Sequence, residues 1–104
     1  MKLKPGVRLL GIRPELTVAM QIANTVLTTA ISGYTMTITC CTEGKHTHSS
    51  KHYTGCAFDL RTSDFPSGVA HSVTMQLARV LGADFDVILE SDHIHIEFDP
   101  KEQY

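Results

Sequence analysis

Phe85-Asp86-Val87-Ile88-Leu89-Glu90-Ser91-Asp92-His93-Ile94-His95-Ile96-Glu97-Phe98 is the stretch that decides how this chain folds. Phe85 to Leu89 and Ile94 to Phe98 are two β-rich runs around a polar break at Ser91 and Asp92, which predicts an antiparallel pair of strands. Residues two apart on a strand project to one face. His93, His95 and Glu97 therefore point one way, and Ile94, Ile96 and Phe98 point into apolar packing. The same few residues carry chemistry on one side and core on the other.

Working back from that pair, Val69, Val73, Leu77, Val80 and Leu81 trace a helix over Ser67 to Leu81, stopped by Gly82. Cys56 to Leu60 reads as a short buried strand that leads into a turn through Ser63, Asp64 and Pro66. Tyr34 to Cys41 alternates Tyr34, Met36, Ile38 and Cys40 with Thr35, Thr37 and Thr39, the pattern of a half-buried strand. The polar segment Thr42 to Thr54 is then a loop. Near the start, Pro14 suits a first helical turn, and Leu16, Ala19, Met20, Ala23, Val26, Leu27, Ala30 and Ile31 recur at helical steps, predicting a helix over about residues 14 to 32. The order helix, strand, strand, helix, strand, strand indicates an α+β domain with a small, mainly antiparallel sheet and two main helices. Pro100 to Tyr104 are expected to form a loose tail.

With 104 residues, 42% of them hydrophobic, the chain suffices for one core, so residues 1–104 are expected to form a single domain. A formal charge of -2, with Lys and Arg scattered, gives no surface for tracking phosphates, and no nucleic-acid partner is expected. Three cysteines, two of them adjacent, make a poor disulfide framework, and reduced thiols are expected. A zinc-thiolate site finds no C-x-x-C pair, and Cys40 and Cys41 would face opposite ways on a strand. The N-terminus lacks the apolar run of a secretory signal, so synthesis in the cytoplasm is expected. The longest apolar stretch, Val18 to Ile31, is interrupted by Gln21, Asn24 and threonines and is too short to span a bilayer, so no membrane anchor is expected.

Of the six histidines, five fall in two segments that also carry acids. The first places Ser50, His52, Gly55, Ala57 and Asp59 in the order S-x-H-x-x-G-x-A-x-D, and the second is the Glu90 to Glu97 run. Together they offer a His, Asp, His metal set with a spare base beside it. Three protein ligands and one open position are what zinc hydrolysis needs, because the open position holds the water to be activated. Gly55 would permit a close backbone approach or a positive φ, and Ala57 would leave space beneath a metal. His71, on the second helix, stands apart from both segments.

The pair S-x-H-x-x-G-x-A-x-D and E-x-x-H-x-H resembles the signature of the zinc peptidases grouped as lysostaphin-type enzymes, D-Ala-D-Ala carboxypeptidases and hedgehog domains, nearest the carboxypeptidase and phage-endolysin branch. The likeness extends through the Pro14 helix, the Thr35 to Thr39 strand, Glu43-Gly44-Lys45-His46 and Asp86-Val87-Ile88-Leu89. It implies a hedgehog- and D-Ala-D-Ala-peptidase-like fold and one zinc ion held by His52, Asp59 and His95. Glu90 falls at the family's general base, and His93 at a histidine that assists substrate or transition-state binding. A shorter E-x-x-H register would make His93 the ligand instead. Ser50, Asp92 or a backbone carbonyl would orient the ligating imidazoles. The implied reaction is hydrolysis of a peptide bond in peptidoglycan or a related D-amino-acid peptide, at the bacterial cell wall once the enzyme is released, whether by a phage or by export.

Many relatives carry an arginine before the first motif to hold the substrate carbonyl or carboxylate; here that stretch is Thr42-Glu43-Gly44-Lys45-His46. Lys45, His46, Arg8 or Arg13 are the candidate substitutes, although lysine cannot reproduce bidentate contacts. Two other functions compete with hydrolysis. One is a non-catalytic zinc-binding interaction domain of the same fold, in which a fourth protein ligand, such as His46 or His48, would saturate the metal. The other is a histidine-rich loop that merely buffers metal, which leaves the ordered second segment without a purpose.

Overall fold

A computed structural model of the chain describes residues 1–43, 51–52 and 54–101. The predicted hairpin is present: β4, Phe85–Leu89, runs antiparallel to β5, His93–Phe98, with Leu89 opposite Ile94 and Ile88 opposite His95. The Glu90 amide donates to the His93 carbonyl at 2.8 Å and closes the turn. On the other side of β5 lies β3, Ala57–Arg61, also antiparallel, with Phe58 opposite Ile96 and Leu60 opposite Ile94. All four of these apolar side chains are fully buried. β2, Thr37–Cys40, pairs antiparallel with β3, and a two-residue strand β1, Lys2–Leu3, pairs parallel with β2. The sheet is thus five-stranded and mixed, in the order β1-β2-β3-β5-β4, and the fold is α+β with two helices.

The parallel strand β1 was not foreseen. It is two residues long and exposed along its length, so it has no alternation to betray it. Two amides dock it all the same, that of Lys2 on the Met36 carbonyl just before β2 at 2.8 Å and that of Lys4, just after β1, on the Ile38 carbonyl at 2.9 Å.

Both helices cover the apolar face of the sheet. α1, Pro14–Ala30, starts with its proline at the first turn and buries Leu16, Ala19, Met20, Ala23, Val26 and Leu27. Ile31 already has extended backbone, so the helix stops short of residue 32. α2, Ala70–Leu81, buries Val73, Thr74 and Leu77, while Val80, expected on the apolar stripe, is exposed. The helix begins three residues later than its apolar pattern suggests because Gly68 holds a φ of +80°, outside the helical region. Leu16 and Leu27 of α1 join Val73 and Leu77 of α2 and the sheet's Phe58, Leu60, Ile94 and Ile96 in one core. Each such side chain contributes about 1.5–3 kcal/mol by leaving water.

Lys101 is not loose. Its amide donates to Asp84 at 3.1 Å and its ammonium to Asp86 at 3.0 Å, tying the end of β5 to the start of β4. No helix among the described residues is long and apolar enough to cross a membrane.

Candidate metal centre

Register decides what meets on the open face of the sheet. Paired residues of neighbouring strands project to the same side, and Asp59 stands opposite His95, Arg61 opposite His93 and Ala57 opposite Glu97. β4 continues the rows: Ile88 lies opposite His95, and the turn sets Glu90 across from His93. One row across the sheet therefore holds Asp59, His95 and Ile88, and the next holds Arg61, His93 and Glu90.

A fourth group reaches this face through an irregularity in β2. Ile38 pairs with Leu60, but Cys40, two residues on, pairs with Asp59, only one residue on. The extra residue is a β-bulge, and it turns the strand over. Ile38 stays in the core with its partner Leu60, Cys40 moves to the face of Asp59, and Cys41 takes the buried side, fully enclosed. Simple alternation had put Cys40 with Met36 and Ile38. Thr37, expected on the open side of the strand, is itself buried at 1% exposure.

His52 arrives from the loop before β3. Gly55 aims it: φ is +73° there, and a Cβ would run into the Gly11 carbonyl, so both reasons for a glycine apply. The Gly55 carbonyl in turn accepts from the Arg13 amide at 3.0 Å, docking the loop on the segment that leads into α1. Glu43 steadies the other end, accepting from the Arg8 amide at 3.0 Å and the Cys41 amide at 2.9 Å.

Asp59 is the hub, its side chain 14% exposed. Oδ1 lies 3.4 Å from His52 Nε2 and 2.9 Å from His95 Nδ1, and Oδ2 lies 3.8 Å from His93 Nε2. The rings of His52 and His95 meet edge to face at 5.1 Å. Burial opposes ionisation of Asp59, but hydrogen bonds from His52 and His95 and the nearby imidazole charges outweigh it and hold the carboxyl well below its usual range.

The far nitrogen settles the tautomer of His52: its Nδ1 sits 2.7 Å from the Cys41 carbonyl, which can only accept, so Nδ1 carries the proton and the neutral ring turns its Nε2 lone pair to Asp59 Oδ1. His95 has a carboxylate at each ring nitrogen, Glu97 Oε1 at 2.8 Å from Nε2 and Asp59 Oδ1 at 2.9 Å from Nδ1, so the neutral ring leaves one lone pair against a carboxylate oxygen whichever nitrogen holds the proton. Acceptors do not face one another without a cation between them, and either two extra protons or one metal ion satisfies the arrangement. In the metal-free protein the proton is the answer at His95, whose pKa is raised chiefly by its bond to Asp59 against the cost of burial, with Glu97 adding to it.

The donor chemistry fits a metal. Ligand atoms 2.0–2.1 Å from one tetrahedral zinc stand about 3.3–3.4 Å apart, close to the His52 to Asp59 separation. Donor atoms of Cys40, His52 and Asp59 all lie within 4.8 Å of one another, so these three residues could hold a metal ion, compatible with a single zinc. His95 shares the same Asp59 oxygen. Burial, with Glu43 close by, pushes the Cys40 thiol up to about 12, so without a metal it is protonated at neutral pH.

Of the residues singled out in the sequence, His52, Asp59, His93 and His95 are brought together. Asp92 accepts from His93 Nδ1 at 2.7 Å and so orients His93, not His52 or His95. A backbone carbonyl and Glu97 orient those two. Glu97 had been placed on the correct face but given no role; its position two residues after His95 was the available signal. Glu90 is exposed and makes no side-chain hydrogen bond among the described residues. His71 is exposed on α2, and Arg13 pairs with Glu15 at 3.5 Å. Lys45, His46, His48 and Ser50 lie outside the described residues.

No protein-family model matches this chain, and no curated protein matches it. The class stated by fold and site is an α+β domain with a candidate metal centre on the open face of its sheet.

Proposed function

We propose that this domain is a zinc-dependent peptidase of the hedgehog and D-Ala-D-Ala-peptidase type, acting on peptides of the bacterial cell wall. The observation that carries the reading is Asp59 Oδ1 facing a ring nitrogen of each of two imidazoles, His52 and His95, whose other nitrogens each meet an acceptor. That is how metal-binding histidines are held, with a carbonyl or carboxylate fixing the tautomer from behind.

His52, Asp59 and His95 would hold the ion. When bound, zinc supplies Lewis-acid polarisation of the scissile carbonyl and an acidified water. Glu90, free of side-chain partners among the described residues and across the turn from His93, takes the water's proton and delivers it to the leaving amine. His93 acts as the imidazolium, Nδ1–H donating to Asp92 and Nε2–H to the carbonyl oxygen as negative charge develops there.

Cys40 favours a second reading. As a fourth protein ligand it would close the site and leave no position for water, the arrangement of a structural zinc in a binding domain. Cobalt substitution separates the two: an intense thiolate-to-metal absorption band, lost in Cys40→Ser, marks the closed site. The peptidase reading is tested on purified bacterial sacculi with zinc-loaded protein and a Glu90→Gln control. Stem peptides released by the first and absent from the second are expected. No release from either protein, with zinc bound, overturns it.

A further inference from the structure

The bulge in β2 puts a thiol at the rim of a centre that already has three candidate ligands. Two residues before it Ile38 is fully buried, yet at Cys40 the register slips and the side chain joins the open face beside Asp59. The sulfur lies 3.9 Å from His52 Nδ1 and 3.9 Å from the Glu43 carbonyl oxygen, and it falls within 4.8 Å of the donor atoms of His52 and Asp59. Cysteine has one side-chain rotor before its sulfur, so a single change of χ1 carries the sulfur toward the centre or away from it. Cys40 is half-buried and outside any disulfide, whereas its neighbour Cys41 is enclosed in the core. Of the two, Cys40 is the one open to a small oxidant.

Hydrolysis and a thiolate at this place exclude one another. With His52, Asp59 and His95 as ligands, a tetrahedral zinc keeps one position for water, and Cys40 competes for that position. Thiolates suit zinc well, and a thiolate carries a charge that water lacks, so the reduced side chain closes the centre. The thiolate is the form of sulfur that binds metal, and an oxidised sulfur no longer supplies it.

We propose that Cys40 is a peroxide-sensitive stop on the candidate peptidase: reduced, it takes the fourth position and blocks hydrolysis; oxidised to the sulfenic acid, it withdraws and admits water. This rests on the peptidase reading for the reaction it controls, although the change of ligand can be followed alone. The Cys40 thiolate attacks one oxygen of hydrogen peroxide, an S–O bond forms, the O–O bond breaks and hydroxide leaves. Sulfur gives up two electrons and the peroxide takes them. A small thiol reverses the change, since its attack on the sulfenic acid forms a mixed disulfide and releases water, and a second thiol then displaces the Cys40 thiolate. A purely structural site behaves differently, because oxidation removes a ligand it needs to keep the metal.

The experiment uses the whole chain carrying Cys56→Ser, which leaves Cys40 as the one thiol not enclosed by the core. Redox-inert cadmium in place of zinc reports the thiolate through its ultraviolet charge-transfer band, and chelator competition reports whether the metal stays. Zinc-loaded protein on bacterial sacculi reports hydrolysis. The reduced chain should show the band, stoichiometric peroxide should remove it with the metal retained, and a small dithiol should restore it. Peptide release should rise at least about tenfold on oxidation, the change expected if the closed state holds about nine-tenths of the reduced protein. Cys40→Ala should show no band and release peptides at the oxidised rate with or without peroxide. No thiolate band in the reduced chain, or a metal that departs with the band, overturns the stop. Equal release before and after the band is lost also overturns it and leaves the peptidase standing. A reversible band with the metal retained, but no release from either state or from Cys40→Ala, supports the change of ligand and counts against the peptidase.

Discussion

Glu97→Gln is the most direct probe of the metal centre, because it changes one charge and almost no shape. Glu97 Oε1 accepts from His95 Nε2 at 2.8 Å, and both side chains are largely buried, 17% and 18% exposed. A glutamine carbonyl can still accept that proton, so the tautomer of His95 survives. The carboxylate's effect on ring basicity does not. Partners of this kind are worth about 10–100-fold in metal affinity, or roughly 1.4–2.8 kcal/mol at 1.4 kcal/mol per decade. Zinc affinity should fall by that factor in competition with a fluorescent chelator at fixed pH. Melting temperature alone is a poorer guide. Glu97 also crowds Asp86 and Asp99 within 4.8 Å, and removing one of three carboxylates relieves repulsion in the metal-free state. An affinity within twofold of the parent chain would refute the argument and point to His93 in place of His95 as the ligand.

Three further outcomes are expected. His95→Ala should lose at least about tenfold more zinc affinity than His93→Ala, read by the same competition; the reverse order assigns the metal to His93. Gly55→Ala meets both a left-handed φ and the Gly11 carbonyl, and should cost about 2 kcal/mol, lowering Tm by roughly 8–16 °C; a shift under about 2 °C in a thermal melt would show that the loop re-docks freely. In the metal-free protein the raised pKa of His95 gives stability that is complete below 6.5 and lost as pH rises through the raised value, so Tm in chelator should fall from pH 6 to pH 8. Asp59 works in the other direction, its contribution present above 3.8 and lost on further acidification. A metal-free Tm that climbs between pH 6 and 8 would contradict the assignment, whereas zinc-loaded protein should show no such decline, since the ion replaces the proton.

The sequence was most legible where one periodicity governed both packing and chemistry. His93 to Phe98 alternates without a break, and the sheet keeps that alternation, with Ile94 and Ile96 fully buried and His95 opposite Asp59. The helices were readable for the same reason, their ends less so, because Gly68 and Ile31 end helical geometry without altering the apolar pattern. Cys40 was misplaced because a bulge adds one residue to β2, and a bulge changes pairing while leaving composition untouched. β1 depends on a parallel contact between distant segments. Nothing local in Met1 to Lys4 encodes it.

The central strands that carry the site also set when in folding the site can exist. Asp59 and His95 are separated by 36 residues, and the whole of α2 lies between them. Cys40, His52 and Asp59 lie within twenty residues of one another, whereas His95 joins them only once β5 has paired with β3. Contacts with such long sequence separation close late, after the loop entropy between them has been overcome. A metal joined to these residues would therefore act mainly on the native side of the folding barrier, slowing the escape from the folded state far more than it speeds arrival.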